Sequence, residues 1–345
     1  MQELKIYKTD KIIAVRKLLS KAKNVCIFSH INPDGDALGS SLGLMHFLTD
    51  LGINVKVVVP NDFPDFLNWM PGTKKILKFN RDEQKVRKAI MESDLFFILD
   101  FNNLSRLGTL GSLLTSSDKP SIMIDHHLEP AEGFSFTFSS VKSSSTSEMI
   151  YQFITSLRPR YPFHKNTATC LLTGIMTDTG CFRFPSTSAV TFKIASTLIQ
   201  AGASSSDIYE KVFDDFSISR LQLTGFCLHE KLVFVPNLAV AFMTLSNAEQ
   251  KQFQFKKGDT EGLVNYPLSV RGIQMSVFFS EREGEIRISF RSKGKFDVNK
   301  FARQHFNGGG HRNAAGGMST RNLETTTKWF LETLGNYPEL KNKKS

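Results

Sequence analysis

The chain has 345 residues, which is long for one domain, so two domains are expected. Its 43 basic and 33 acidic side chains give a net charge of +10, which favours a polyanionic partner and says nothing about the fold. The sequence contains no apolar run long enough to span a bilayer, and residues 1–5 are mostly polar. Its four cysteines include no C-x-x-C pair. We therefore expect a soluble cytoplasmic protein in a reducing compartment, with no membrane partner.

The first half of the chain alternates between helical and extended patterns. A helix is predicted from residue 9 or 10 to 22, a buried strand over 24–28 and a helix over 37–50. Further strands are predicted at 53–59, 94–100 and 121–125, and further helices at 146–157, 166–176, 187–201 and 205–228. Repeated strand–helix units predict an α/β fold with an amino-terminal, doubly wound, mainly parallel sheet.

The last third of the chain has a different pattern. Strands are predicted at 234–245, 272–280 and 285–291, and a helix at 297–305. We expect a catalytic domain at residues 1–204, a helical connector at 205–232 and a smaller carboxy-terminal α/β domain at 233–345.

Candidate metal ligands recur where apolar segments end. They are His30, Asp34, Asp36, Asp100, His126 and Asp178. A single aspartate at a strand end is more often a cap or a turn residue, but the joint occurrence of these side chains favours one metal site at the carboxyl ends of the strands. Ligand sets of His and Asp without Cys suit Mn²⁺ or Mg²⁺, with Zn²⁺ left open. Six ligands suit two ions, and two ions favour phosphoester hydrolysis.

Three other motifs have competing interpretations. Residues 39–43 match the G-x-S-x-G elbow of serine hydrolases, but Asp34 and Asp36 occupy the turn that the elbow requires, so we expect Gly39 and Gly43 to pack against the sheet. The serines at 143–147 are typical of a helix cap, with phosphate binding as the alternative. The glycines at 308–310 could bring backbone amides close to a phosphate, or form a plain turn.

The same segments, taken in order, resemble the motifs of a known family. His30-x-x-x-Asp34-x-Asp36, Asp100, Asp125-His126-His127, Asp178 and the glycine-rich segment 308–316 resemble the successive motifs of the DHH/DHHA1 phosphoesterases. The resemblance covers about residues 20–335, and within the family the chain is similar to stand-alone NrnA-type enzymes. It implies a DHH domain followed by a DHHA1 domain.

The resemblance also implies a role for each motif residue. His30 and Asp34 would hold one Mn²⁺, Asp36, His126 and Asp178 the other, and Asp100 would bridge them. His127 would face the scissile phosphate, with Asp125 orienting the neighbouring histidines. Arg291 and His311, together with Gly309 and Gly310, would bind the substrate from the second domain. Arg183 is a further candidate, with pairing to a structural carboxylate as the alternative.

The implied substrates are short oligoribonucleotides and 3′-phosphoadenosine 5′-phosphate (pAp). The alternatives are a cyclic-di-AMP or pApA phosphodiesterase, a RecJ-like exonuclease and a non-enzymatic nucleotide- or RNA-binding module, and the chain could act as a monomer or a homodimer. Phe101 and Asn307 depart from the family pattern, and we expect both at the rim where substrates are selected.

Overall fold

The computed structural model describes residues 7–256, 258–282 and 284–341, so the polar start at 1–5 lies outside the described residues. The chain divides into two units, Met1–Asp215 and Phe216–Ser345. The boundary falls within the predicted connector at 205–232, and the status of that segment as a separate connector stays a prediction. In the described residues, no helix is both long and apolar enough to cross a membrane.

The first unit contains a sheet of six strands, and every neighbouring pair in it is parallel. The strands are β1 (Asn24–Phe28), β2 (Asn54–Val59), β3 (Leu77–Lys78), β4 (Leu95–Leu99), β5 (Ser121–Asp125) and β6 (Phe136–Ser139). Their order is β3-β2-β1-β4-β5-β6, so the winding direction reverses between β1 and β4. Ligands bind at the carboxyl ends of the strands beside such a reversal. The predicted doubly wound parallel sheet is confirmed.

Helices cover both faces of this sheet. They are α1 (Thr9–Leu19), α2 (Gly35–Asp50), α3 (Phe79–Glu92), α4 (Leu110–Thr115), α5 (Thr146–Leu157), α6 (Lys165–Asp178), α7 (Ala189–Gln200) and α8 (Ser205–Phe213). Because side chains alternate along a strand, Val25 and Ile27 of β1 pack into the core beneath α2, α5 and α6, whereas Cys26 and Phe28 pack with α3 and α4. Burial on both faces explains why β1 reads as an uninterrupted apolar run.

Helices α2 and α6 lie close together because their contact is made by glycines. A Cβ atom on Gly39 would lie 2.6 Å from the carbonyl oxygen of Cys170 and 2.8 Å from the amide nitrogen of Gly174. A Cβ atom on Gly43 would lie 2.5 Å from a methyl of Leu171. The expectation that these glycines face the sheet was therefore wrong, because they face α6. The hydroxyl of Ser41 is buried without a hydrogen-bond partner among the described residues, which excludes an exposed serine nucleophile here.

The second unit contains a mixed sheet of six strands. They are β7 (Val233–Phe234), β8 (Val240–Leu245), β9 (Met275–Arg282), β10 (Glu285–Ser292), β11 (Gly309–His311) and β12 (Ala314–Ser319), in the order β11-β12-β10-β9-β8-β7. Among the described strand pairs of this second sheet, β8–β9 is parallel and the others are antiparallel. Its helices are α9 (Ile218–Glu230), α10 (Asn247–Gln252), α11 (Val298–His305) and α12 (Leu323–Leu334). Phe301 of α11 and Phe330 of α12 pack with Phe290 of β10 in its largest core.

Two predicted elements are divided in the structure. The helix predicted at 205–228 is two helices, because Ser217 caps a new helix by accepting a hydrogen bond from the amide of Arg220. The strand predicted at 234–245 is interrupted by Asn237, whose φ of 63° belongs to a turn. The glycine-rich segment, for which a plain turn was one of the two alternatives, contributes strands β11 and β12.

Candidate active site

The six predicted metal ligands come together in the first unit. His30, Asp100 and His126 follow β1, β4 and β5, Asp34 and Asp36 lie at the start of α2, and Asp178 ends α6. Two groups of donor atoms result, each with its atoms within 4.8 Å of one another. The groups are His30, Asp34 and Asp100, and Asp36, His126 and Asp178.

The first group is oriented by the local backbone. His30 Nδ1 lies 2.8 Å from the carbonyl oxygen of Ile31, so Nδ1 carries the proton and Nε2 is left as a ligand atom. This Nε2 lies 3.5 Å from Asp100 Oδ2 and 3.9 Å from Asp34 Oδ2. Asp34 caps α2, because its Oδ1 accepts the amides of Asp36 and Ala37 at 3.0 Å. The cap leaves Asp34 Oδ2 directed at the group.

The second group is arranged around the imidazole of His126. Its Nε2 lies 3.4 Å from Asp178 Oδ2 and 3.9 Å from Asp36 Oδ2. The same atom lies 3.6 Å from Asp100 Oδ1, while the other carboxylate oxygen of Asp100 faces His30. Asp100 thus presents one oxygen to each group. Its backbone has a φ of 65°, an uncommon conformation for a residue other than glycine and one that occurs at functional sites.

The amino terminus of α5 holds both central carboxylates. The amide of Thr146 donates to Asp36 Oδ2 at 2.6 Å, and the amide of Ser147 donates to Asp36 Oδ1 at 2.8 Å. The hydroxyl of Thr146 donates to Asp100 Oδ1 at 2.9 Å. Ser145 caps the helix through the amide of Glu148. The serine segment therefore caps the helix, but through Ser145 and not through Thr146 or Ser147 as the sequence suggested. The amides of Thr146 and Ser147, which a phosphate would use, donate to the carboxylate of Asp36.

Burial makes this cluster of carboxylates electrostatically unfavourable without a cation. Burial, followed by the charges of Asp100 and Asp178, raises the pKa of Asp36 well above its usual value. Burial also acts to raise the pKa of Asp100, but its hydrogen bond to His30 and the neighbouring histidines outweigh that effect, so the pKa of Asp100 is lowered. A divalent cation would offset the repulsion. The oxygen and nitrogen donors present fit such an ion.

A second chain of contacts runs beside the cluster. Asp125, the buried last residue of β5, accepts a hydrogen bond from His127 Nδ1 at 2.7 Å and one from the His127 amide at 3.1 Å. His127 Nε2 lies 3.2 Å from Nη1 of Arg106. The carbonyl oxygen of Arg106 accepts the amide of Ile31, which joins this segment to the loop that holds His30. The carboxylate of Asp125 thus places the proton of His127 on Nδ1, and Nε2 is left to accept a hydrogen bond from the Arg106 guanidinium.

Arg106 is a residue that the sequence analysis missed. It lies in a short 3-10 turn six residues after Asp100, and no spacing rule links such a turn to the histidines of the next strand. Phe101 corrects another expectation, because its side chain is fully buried in the core with Leu107 and Leu110. Phe101 therefore does not lie at a substrate rim.

The predicted residues of the second unit share one face of its sheet. Arg291 of β10 and His311 of β11 are both in register with Ala314 of the intervening strand β12. Residues directly opposite one another on neighbouring strands point to the same side of the sheet. The side chains of Arg291 and His311 therefore lie on either side of the small side chain of Ala314. The amide of Gly310 donates to Asn299 at 2.9 Å, and a Cβ atom there would lie 2.6 Å from the carbonyl oxygen of Ala314. Close strand packing thus accounts for this glycine, and phosphate binding by Gly309 and Gly310 stays a prediction.

Comparison with known proteins identifies the family. Residues 24–175 match the model of the DHH family, N-terminal domain, and residues 236–336 match that of the DHHA1 domain. The chain is 31% identical to the bifunctional oligoribonuclease and PAP phosphatase NrnA of Thermus thermophilus, covering 89% of this chain and 88% of that protein. It is 28% identical to the protein of the same name from Bacillus subtilis, covering 87% and 90%.

Solved structures agree with these matches. An exopolyphosphatase-related protein from Bacteroides fragilis has a TM-score of 0.91 and 42% identity, covering 96% of this chain and 97% of that one. RecJ of Thermus thermophilus in complex with Mn²⁺ has a TM-score of 0.59 at 12% identity, covering 98% of this chain and 56% of RecJ, which shows a shared fold. The chain belongs to the DHH/DHHA1 phosphoesterase family and is a hydrolase of phosphoester bonds.

Proposed function

We propose that the chain hydrolyses short oligoribonucleotides to mononucleotides and removes the 3′-phosphate of pAp to release AMP. The observation that carries the proposal is the position of Asp100, which presents one oxygen to each of two His/Asp groups. The names of the relatives from Thermus thermophilus and Bacillus subtilis supply the substrate classes.

We assign His30 and Asp34 to one divalent cation, Asp36, His126 and Asp178 to a second, and Asp100 to both. Mn²⁺ is the preferred ion and Mg²⁺ the alternative, because the donors are imidazole and carboxylate without thiolate. A pair of such ions supplies an activated water and neutralises charge on the phosphoryl oxygens. RecJ of Thermus thermophilus, which shares the fold, was solved with Mn²⁺ and with Mg²⁺, so it supports a divalent cation and does not separate the two ions.

The remaining work falls to side chains beside the cluster. Asp125 holds His127 in one orientation, and His127 Nε2, which lies beside Arg106, would face the scissile phosphate. Arg106, 3.2 Å from the same nitrogen, would bind a phosphate oxygen through its fork of donors. Arg291 and His311 would bind the neighbouring nucleotide. Gly309, Gly310 and Arg183 are further proposed substrate-binding residues.

A cyclic-di-AMP phosphodiesterase is the second candidate. The chain is 25% identical to the cyclic-di-AMP phosphodiesterase PdeA of Listeria monocytogenes, and it covers 49% of that protein. The metal cluster serves either reaction equally, so relative rates must separate the two functions.

The test compares substrates under identical conditions. Purified protein with Mn²⁺ is given a short RNA, pAp, pApA and cyclic di-AMP in separate reactions, beside an Asp100→Asn variant and a metal-binding titration. The expected result is faster turnover of short RNA and pAp than of cyclic di-AMP, two bound ions, and loss of all turnover in the variant. Preferred cleavage of cyclic di-AMP would replace the proposed substrate, and a variant with unchanged rates would overturn the metal assignment.

A further inference from the structure

Two aromatic rings stack on the surface of the first unit. The ring centroids of Phe182 and Phe192 lie 5.2 Å apart with an interplanar angle of 25°. Phe192, on α7, has 56% of its surface exposed, while Phe182 is half-buried. The ring of Phe192 is therefore exposed to solvent, and it stacks on Phe182, which packs against the core.

Phe182 is held by a strained turn that follows the metal ligand Asp178. Gly180, Cys181 and Phe182 have successive φ values of 55°, 57° and 65°. This left-handed backbone is easy for glycine but costly for a bulky residue, and such strain accumulates at functional sites. Hydrogen bonds from the amide of Cys181 to the carbonyl of Met176 and from the amide of Phe182 to Thr179 Oγ1 close the turn. These hydrogen bonds hold the backbone of Phe182, which follows Asp178 by four residues in the chain.

Phe192 is connected to the same cluster by a different route. The preceding residue, Thr191, donates its hydroxyl to the buried carboxylate of Glu148 at 2.7 Å. Glu148 directly follows Thr146 and Ser147, whose amides hold Asp36. Two connections, one through Asp178 and one through Asp36, therefore link the segments that carry the two rings to the proposed metal ligands.

A cation lies next to the aromatic pair in the chain. Arg183 is exposed, and its guanidinium lies 5.4 Å from the ring centroid of the following residue, Phe184. Exposed aromatic faces combined with arginine are the features that bind single-stranded nucleic acid, because bases stack on the rings while the cation meets the backbone.

We propose that Phe182 and Phe192 form a stacking platform for a nucleobase of the substrate strand, with Arg183 beside it for a backbone phosphate. The proposal rests on the proposed oligoribonuclease function. Every base has a π face, so the platform selects for the presence of a second base and not for its identity. It therefore matters for a dinucleotide, which has two bases, and not for pAp, which has one.

The test separates the ring from its apolar bulk. Phe192→Leu keeps an apolar side chain but removes the ring, Phe192→Tyr keeps the ring, and Ile199→Ala changes another exposed apolar residue of α7. Substrates are pApA, two analogues of pApA that each lack one adenine, and pAp, all with Mn²⁺. Exposure of Phe192 makes misfolding of these variants an unimportant concern, and thermal unfolding checks it.

We expect Phe192→Leu to raise the KM for pApA by about 5- to 100-fold, toward that of one adenine-lacking analogue, with little change in kcat. Phe192→Tyr and Ile199→Ala should match the unmodified protein, and the KM for pAp should not move in any variant. Equal KM values for Phe192→Leu and the unmodified protein would overturn the platform alone. If Phe192→Leu changed the particle mass measured by light scattering but did not change the KM in a base-dependent way, the platform would be overturned. The aromatic pair would then be an interface between two copies of the chain. Failure of the unmodified protein to cleave pApA would overturn the proposed function as well.

Discussion

The hydroxyl of Thr146 donates a hydrogen bond to Oδ1 of Asp100 at 2.9 Å, and the amide of the same residue donates to Oδ2 of Asp36 at 2.6 Å. One fully buried residue thus orients a carboxylate from each group of proposed ligands. Residues that orient metal ligands in this way contribute to affinity although they never touch the ion.

Thr146→Val should weaken binding of Mn²⁺ by about 10- to 100-fold, because valine keeps the shape of threonine but removes the hydroxyl that donates to Oδ1 of Asp100. Calorimetric titration with Mn²⁺ measures the loss. Thr155→Val is the matched control, because it removes a hydroxyl of the same helix that donates to the backbone carbonyls of Tyr151 and Gln152. Equal affinities in the two variants would show that the hydroxyl does not support the site.

Arg106→Gln should lower kcat by about 100-fold while leaving the affinity for Mn²⁺ unchanged, because its guanidinium faces His127 and the proposed phosphate. Arg106→Lys should restore only part of the activity, since a lysine cannot form two parallel hydrogen bonds to a phosphate. Steady-state kinetics on pAp and a metal titration measure the two effects separately. Arg87→Gln, which removes an exposed cation paired with Glu83 on α3, should have wild-type kinetics. Loss of Mn²⁺ binding in Arg106→Gln would instead indicate a structural role.

Gly39→Ala should destabilise the chain by at least about 1–3 kcal/mol, because the added methyl would press on the backbone of α6 at Cys170 and Gly174. Urea unfolding of the intact chain measures the change. Gly225→Ala is the control, since Gly225 is an exposed position of α9 where a Cβ atom meets nothing within 4 Å, and alanine should stabilise that position slightly. Equal stabilities would mean that α2 and α6 can separate at little cost.

Asp94 should make a contribution to folding stability that depends on pH. Its Oδ2 accepts the amides of Asn24 and Lys23 at 2.8 and 2.7 Å, and these hydrogen bonds lower the pKa of Asp94. A lowered folded-state pKa gives stability that is complete above the pKa of the unfolded chain, about 3.9, and is lost as pH falls through the folded value. Asp94→Asn should therefore lower the unfolding midpoint at pH 7, and its difference from the unmodified protein should shrink in acid. A difference that is constant from pH 7 to about pH 2.5 would contradict the linkage.

Periodicity predicted the parallel sheet of the first unit. The strands at 24–28 and 121–125 lie where the sequence placed them, because each is a short apolar run buried on both faces. Elements with weaker patterns were not predicted. Helix α3 begins without a side-chain cap and has a kink at Asp82, and β6 is a four-residue edge strand. Such segments are defined by what they pack against, so local patterns identify them poorly.

The sequence by itself determined which chemistry is available. Histidines and aspartates at the ends of apolar runs specify oxygen and nitrogen donors for divalent cations, and their order along the chain identifies the family. This information is local, because residue type and strand position depend on neighbours in the chain.

Only the tertiary structure decided how these groups are held. Thr146 reaches Asp36 across 110 positions, and Arg106 reaches His127 across 21, so neither contact leaves a periodic signal in the sequence. The contact of Gly39 with α6 is likewise set by the distance between two helices. Hydrogen bonds and close packing between distant segments depend on the positions of folded elements, which is why the candidate ligands can be proposed from the sequence while the residues that support them cannot.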